Sequence, residues 1–359
     1  MINLKHYNSL LWIFLLIFTA SCENDTEEGV NVNFVASTGF SDTDASIRYS
    51  ENGIYWSTNN ITPMSQNYLI NALAYGDDHF VAVGNGIYSY QSTDGANWTQ
   101  TNLDSIKTYT DIAVGEYHNQ SPWAPYFVAV GNRGAVMYSS NHGNSWTSGN
   151  SGVISKLNGI AFGNTVDGLS MFVAVGDAPT LTMVGAPEQG TIIYSLTAGE
   201  SWIQHSTGGS YSNLHCIAFG NGRFIAAGNY GYIIYSTNGA AWQYAESNGT
   251  KTIYGLAYGI ADGSPIWVGV GASGTVLHST DNGNNWTEDV FDEDKTWCSV
   301  IYADNRFYAV GYGSDGGLTN GVEGKIIYSN DGVNWSQAAV FAEFENYFSD
   351  IAYRNSASE

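Results

Sequence analysis

The sequence predicts an all-β protein, a seven-bladed β-propeller of four-stranded blades. Three observations carry that expectation. Seven tryptophans, Trp56, Trp98, Trp146, Trp202, Trp242, Trp286 and Trp335, close seven copies of one turn motif at spacings of 42, 48, 56, 40, 44 and 49 residues. Repeats of that period, each holding several short strands, mark a propeller. The composition agrees, because 42 Gly, 25 Tyr and only 12% charged residues in 359 suit short strands and tight turns better than helices. The chain ends also fit each other: the first repeat lacks a strand that the last residues supply.

Each repeat reads as four strands in order. The innermost carries an Ile/Leu-Ala-Tyr/Phe-Gly signature, at residues 73–76, 160–163, 217–220 and 256–259. The second is Phe-Val-Ala-Val-Gly or a relative, at 80–84, 127–131, 172–176, 224–228, 267–271 and 307–311. A third runs into the turn motif Ser-x-(Asp/Asn)-Gly-x-x-Trp, and the tryptophan begins the fourth. The first repeat opens at residues 33–36 (NFVA) without an innermost strand, and residues 347–353 (YFSDIAY) have that strand's pattern. The C-terminus is therefore expected to complete the first blade, which removes two open sheet edges.

The clearest turn contains Ser279, Asp281, Gly283 and Trp286; residues 92–98 (STDGANW) and 329–335 (SNDGVNW) are close copies. These residues resemble the Asp-box (BNR) repeat of sialidases, sortilins and photosystem-assembly propellers, over residues 31–354. The resemblance implies the fold and not an activity. Ser279, Asp281, Gly283 and Trp286 read as structural: the Asp bonds its own backbone, Gly supplies positive φ, and Trp fills the gap between blades. Asn52, His142, Thr197 and Asn238 replace the Asp in other copies, so no metal is expected there. Sialidase chemistry resembles three convergent arginines with a Tyr nucleophile and an acid; here the arginines are scattered and no Phe-Arg-Ile-Pro segment precedes the turns. Nothing beyond the shared repeat points to photosystem assembly.

The N-terminus gives an expected address. Lys5 and His6 precede an apolar stretch at residues 10–20 (LLWIFLLIFTA), too short for the roughly 20 residues of a spanning helix and suited to a signal-peptide core. Thr19-Ala20-Ser21-Cys22 resembles a bacterial lipoprotein box, without Leu at its first position. The resemblance implies a signal peptide over 1–21, lipid on Cys22, and anchoring at the outer membrane without spanning it. Residues 22–30 form a tether whose acidic run, 23–28 (ENDTEE), is similar to the surface-export signal of Bacteroidota lipoproteins; residues 355–359 are a tail. Cys216 and Cys298 occupy non-equivalent positions two repeats apart, so no disulfide is expected. No Cys/His spacing suggests zinc, and no cofactor is expected.

With 33 Asp+Glu against 11 Lys+Arg and a net charge of −22, the chain offers no basic stripe for nucleic acid. Its aromatic content of 14% is that of a core-forming chain and not of a disordered one. Ligand binding is expected on the rim carrying the longest inserts, residues 38–46, 177–189 and 312–323. Aligning the innermost strands places Asn71, Thr110, Asn158, His215, Tyr254, Cys298 and Ser349 in one ring. Asp111 and Asp350 stand one step later, Tyr109 and Trp297 one step earlier. Tyr109, Asp111, Trp297 and Asp350 are the expected polar-aromatic mouth, framed by Asp42, Asp177 and Asp315, and suited to a glycan or a protein. The structural alternative is that small residues let the strands crowd together while each Asp bonds a neighbouring strand. A catalytic alternative places His215 and Tyr254 as a proton-abstracting pair of a polysaccharide lyase, or uses the mouth as a glycosidase. A lyase must also neutralise a uronate, and the basic residues are few, so non-catalytic binding is the favoured expectation.

Overall fold

The computed structural model describes residues 32–39, 46–57, 69–117, 125–179, 190–205, 212–314, 322–338 and 347–354. They form a β-propeller, all strand and tight turn apart from two 3-10 turns at Asn132–Gly134 and Asn229–Gly231. Among the described residues no helix is long and apolar enough to cross a membrane. The expected signal peptide, Cys22 and the expected tether lie outside the described residues.

One sheet shows the pattern. Leu157–Asn164 is innermost and pairs antiparallel with Ser170–Gly176, which pairs with Thr191–Ser195, which pairs with the short outer strand Ile203–Gln204. Six sheets result, of three, four, four, five, four and six strands. The departures from four have local causes. His79–Ser92 and Thr99–Glu116 each stay extended through a connection, through pairs such as Asn85 with Thr108, and so join two repeats in one six-stranded sheet. In the three-stranded sheet the fourth strand shrinks to one bridge between Ser50 and Trp56. The fifth strand of another sheet is Glu246–Ser247, laid parallel to Asn285–Val290.

The innermost strands Ile70–Gly76, Thr99–Glu116, Leu157–Asn164, Leu214–Gly220, Ile253–Ala261, Lys295–Ala303 and Tyr347–Tyr353 stand side by side in that order, and the last touches the first. Closure comes from the C-terminus as expected. Tyr347–Tyr353 pairs with Phe34–Gly39, and the Arg354 N–H donates to the Asn33 carbonyl at 2.7 Å. Apolar residues from successive sheets meet between them: Phe34, Trp56, Tyr308 and Phe348 form one such layer, each at most 1% exposed. Each fully buried aromatic or aliphatic side chain of this kind stabilises the fold by about 1.5–3 kcal/mol.

The Ser-x-Asp turns tie themselves. Ser279 Oγ donates to Asp281 Oδ1 and accepts the Gly283 N–H, Asp281 Oδ1 accepts two backbone N–H groups, and Trp286 Nε1 donates to the Gly283 carbonyl at 3.1 Å. One sequence assignment needs correction. Asn141, and not His142, holds the Asp position, since Asn141 Oδ1 accepts from Ser139 Oγ and from the Ser145 N–H. This turn has one extra residue, and His142 is that residue, at φ 59°, matching Ala198 at 51° and Asn282 at 61°. The turns share a rim with the hairpins between first and second strands: His142 Nε2 lies 2.6 Å from Asp77 Oδ2, and Arg223 donates to the Asn282 carbonyl at 2.6 Å. The opposite rim carries the ends of the second strands, the starts of the third and the entries to the innermost strands.

Candidate functional site

The ring of innermost strands encloses a cavity of about 900 Å³. Asn71, Thr110, Asn158, His215, Tyr254, Cys298 and Ser349 all line it, as the alignment predicts. The reason is a bulge repeated in each innermost strand. Tyr109 pairs with Gly131 and Asp111 with Val130, so Thr110 is passed over; the same skip occurs at Asn71, Asn158, His215, Tyr254, Cys298 and Ser349. A bulged residue leaves the ladder and its side chain is re-aimed, here into the channel. A glycine opposite the residue before the bulge permits the close approach in six of the seven, and Thr38 stands there opposite Phe348 in the remaining one. A Cβ on Gly131 would stand 2.0 Å from the Thr108 carbonyl oxygen, and one on Gly228 1.9 Å from that of Asn213. Sequence alone shows the glycine but not the bulge.

Four of the seven ring residues staple adjoining strands. Ser349 Oγ donates to the Ile70 carbonyl at 3.0 Å, Asn71 to that of Tyr109 at 2.7 Å, Thr110 to that of Leu157, and Asn158 to that of Leu214 at 2.8 Å. His215, Tyr254 and Cys298 break the series. His215 Nε2 bonds Asn229 Oδ1 at 2.7 Å, which leaves Nδ1 as its acceptor nitrogen, and its ring lies 5.4 Å from that of Tyr254. Tyr312 and Thr296 line the same side of the cavity.

Asp111 and Asp350 both line the cavity and brace the ring. Asp111 Oδ2 accepts the Ile160 N–H at 2.7 Å and Oδ1 accepts the Ile112 N–H; Asp350 Oδ2 accepts the Leu73 N–H at 2.7 Å. Each thus bonds the next innermost strand. Burial, with the negative charge of Asp350 added, pushes Asp111 up to about 8, and burial raises Asp350 to about 6 despite hydrogen bonds from Ser299, Leu73 and Ile351.

The expected aromatic mouth needs correction. Tyr109 and Trp297 are 3% and 1% exposed and sit between sheets, because the step before the bulge points into the core. Neither presents a face to the channel. Asp177 is described and holds Asn158 Nδ2 at 2.7 Å; Asp42 and Asp315 lie outside the described residues. Burial raises the Cys298 thiol to about 12 and the Cys216 thiol further, so neither is a thiolate nucleophile at neutral pH. Among the described residues no three His, Cys, Asp or Glu are placed to hold a metal.

Sequence reasoning named Tyr254 but missed two other exposed tyrosines, Tyr230 and Tyr244. Tyr230, at φ 60° in the turn Asn229–Gly231, is 77% exposed; Tyr244 is 53% and Tyr254 36% exposed. The signal was an Asn-x-Gly turn with an aromatic residue at its left-handed position, where Gly or Asn is ordinary.

A family model described as the DUF6242 beta propeller domain matches residues 33–159. No curated protein matches the chain. Among solved structures, the chain is similar to YCF48 bound to D1 peptide, at 16% identity and TM-score 0.56, covering 78% of this chain and 89% of that one. YCF48 from Cyanidioschyzon merolae is similar at 15% identity and TM-score 0.54, covering 79% and 94%. The RRP9 WD40 repeats are similar at 7% identity and TM-score 0.54, covering 80% and 85%. At these identities the likeness is one of fold, and the fold it supports is the β-propeller.

Proposed function

We propose that this protein is a non-catalytic binding scaffold that receives an extended polypeptide segment on the insert-bearing rim, over the channel sector of His215, Tyr254 and Tyr312. The observation that carries the reading is the broken staple series. Where four ring residues spend their polar groups on a neighbouring strand, His215 and Tyr254 face the channel as an aromatic pair. Tyr230, in the turn Asn229–Gly231, and Tyr244, on the short outer strand Gln243–Tyr244, add exposed rings. Tyrosine suits such a surface, because it brings a large rigid contact area and a polar tip at low entropic cost. A polypeptide is favoured over a glycan because burial removes Tyr109 and Trp297, the platforms on which sugars would stack. A propeller of similar fold has been solved with a peptide bound, which is support by analogy of fold alone.

Two further parts belong to this reading. The ring is counted as seven Asp-box blades by dividing the six-stranded sheet within Thr99–Glu116 and by counting the Trp56 bridge as a fourth strand. The scaffold is held at the outer membrane surface by lipid on Cys22, with no nucleic acid partner and no cofactor.

Random peptide display against the detergent-purified chain tests the binding. Enriched peptides are expected to lose at least tenfold in affinity on Tyr230→Ala plus Tyr254→Ala, with the melting temperature little changed. Peptides unaffected by both changes, or no enrichment, would overturn the reading. A polysaccharide panel is run beside it: saturable sugar binding at these tyrosines would replace the polypeptide by a glycan, and unsaturated products or new reducing ends would make the protein an enzyme.

A further inference from the structure

A second cavity, of about 470 Å³, opens beside the channel and shares Thr108 and Asn132 with it. Ile106, Lys107 and Arg133 line it, and Lys156 lines the adjoining part of the channel. Among the described residues, none that lines this smaller cavity is acidic. That is unusual company in a chain of 33 acids and 11 bases.

Several other basic side chains are engaged elsewhere. Arg223 donates to the Asn282 carbonyl and lies over Tyr235, Arg354 donates to the Thr93 carbonyl, Arg306 lies over Tyr328, and Lys325 pairs with Glu323. Lys107, Arg133 and Lys156 have no ion pair among the described residues. Arg133 also occupies a left-handed position, φ 56°, in the turn Asn132–Gly134, where a β-carbon is disfavoured and Gly or Asn is ordinary. Tyr230 and Ser273 hold the same left-handed place in the corresponding turns, at φ 60° and 53°, so the repeat's own turn sets the Arg133 side chain at the cavity.

We propose that this notch binds side-chain carboxylates of an acidic polypeptide segment. The inference rests on the polypeptide reading of the rim and names the chemistry of the segment. Arg133 offers planar donors matched to a carboxylate, and Lys107 and Lys156, each lining a cavity with Thr108 and Asn132, supply ammonium groups. Ile106, 78% exposed in the same cavity, decides between anionic partners. An acidic peptide has apolar side chains to cover it, and a sulfated sugar chain has none. The net charge of −22 does not forbid the contact, because exposed charges beyond about 8 Å are screened at physiological salt and the nearest groups dominate.

The test uses fluorescein-labelled octaglutamate and octaglutamine with the whole chain. Octaglutamate is expected to bind at least tenfold more tightly, and to lose that advantage in 0.5 M salt. Changing Lys107, Arg133 and Lys156 together to Gln is expected to weaken it at least tenfold, while Lys251→Gln, on the same rim, changes it less than twofold. Arg133→Gly separates charge from folding: it should raise the melting temperature, by relieving the left-handed β-carbon, and still weaken octaglutamate several-fold. Equal binding of the two peptides, or full binding by the triple variant or by Arg133→Gly, would overturn the notch. A heparin-derived octasaccharide that binds where octaglutamate does not would overturn the polypeptide assignment. Loss of octaglutamate binding with tyrosine-dependent display peptides intact sinks the notch alone; the reverse sinks the channel reading alone.

Discussion

The aspartates of the turn rim and those of the channel are the same side chain put to opposite use. Asp94, Asp281 and Asp331 stand near solvent. Against a modest desolvation that raises them, donors from Asn97, Asn285 or Asn334 and from nearby Ser and backbone groups hold all three below the usual carboxylate range, Asp331 to about 2. Asp111 and Asp350 accept backbone N–H groups too, but burial prevails and lifts them to about 8 and about 6. The difference teaches where the ring is held. A turn aspartate bonds residues two to four positions away and secures one turn. A channel aspartate bonds strands far off in sequence, Ile160 from Asp111 and Leu73 from Asp350, and secures the circle.

Breaking the circle is expected to have the largest effect. Deleting residues 347–359 removes Asp350 and the strand that pairs with Phe34–Gly39, and leaves two open sheet edges. Aggregation or loss of the cooperative unfolding transition is expected in size-exclusion chromatography and calorimetry. A monomer with an unchanged melting temperature would show that the ring does not depend on this closure.

The channel side of the comparison has a pH signature. Raised carboxyls make the folded state bind more protons than the unfolded chain, whose Asp titrates near 3.8, over the window from about pH 4 to about pH 8. Their contribution therefore favours the fold below that window and is lost as pH rises through it. The turn aspartates run the other way, and their contribution fades only as pH falls from about 4 towards about 2. Melting temperature should fall between pH 5 and pH 8.5. Asp111→Asn leaves one of two backbone donors unsatisfied, at about 1–3 kcal/mol, yet should flatten that fall. An unchanged slope would mean that Asp111 titrates normally.

The same distances explain what could be read in advance. The turns were legible because Ser279, Asp281, Gly283 and Trp286 find their partners within a few residues and repeat. The strand order and the closing C-terminus followed from the phase of those repeats. Placing His142 at the Asp position failed because one inserted residue shifts the turn without changing its hydrogen bonds. The ring residues came out correctly, but the aromatic mouth did not. A bulge turns one residue into the channel and its predecessor into the core, and nothing in the local sequence of Thr108-Tyr109-Thr110 announces the bulge. The basic notch stayed hidden because Lys107 lies on the strand Thr99–Glu116 and Arg133 in the turn Asn132–Gly134, and only the fold brings both to one cavity.

The smallest expected effect tests the turn side. Asp281→Ala removes the acceptor of the Asn284 and Asn285 N–H groups and the partner of Ser279 Oγ. The lost bonds resemble those of a helix cap, so about 1 kcal/mol is expected, read from denaturant midpoints. Solvent can reach the freed donors at this exposed turn, which keeps the cost low. Asp281→Asn should cost less than about 0.5 kcal/mol, because an amide oxygen accepts the same backbone donors. The protein already runs that exchange: Asn52 Oδ1 accepts from Ile54 and Tyr55, and Asn238 Oδ1 from Ala240 and Ala241. A loss of several kcal/mol from either change would mean that a turn aspartate, like its channel counterparts, braces neighbouring sheets, and the contrast between the two sets would collapse.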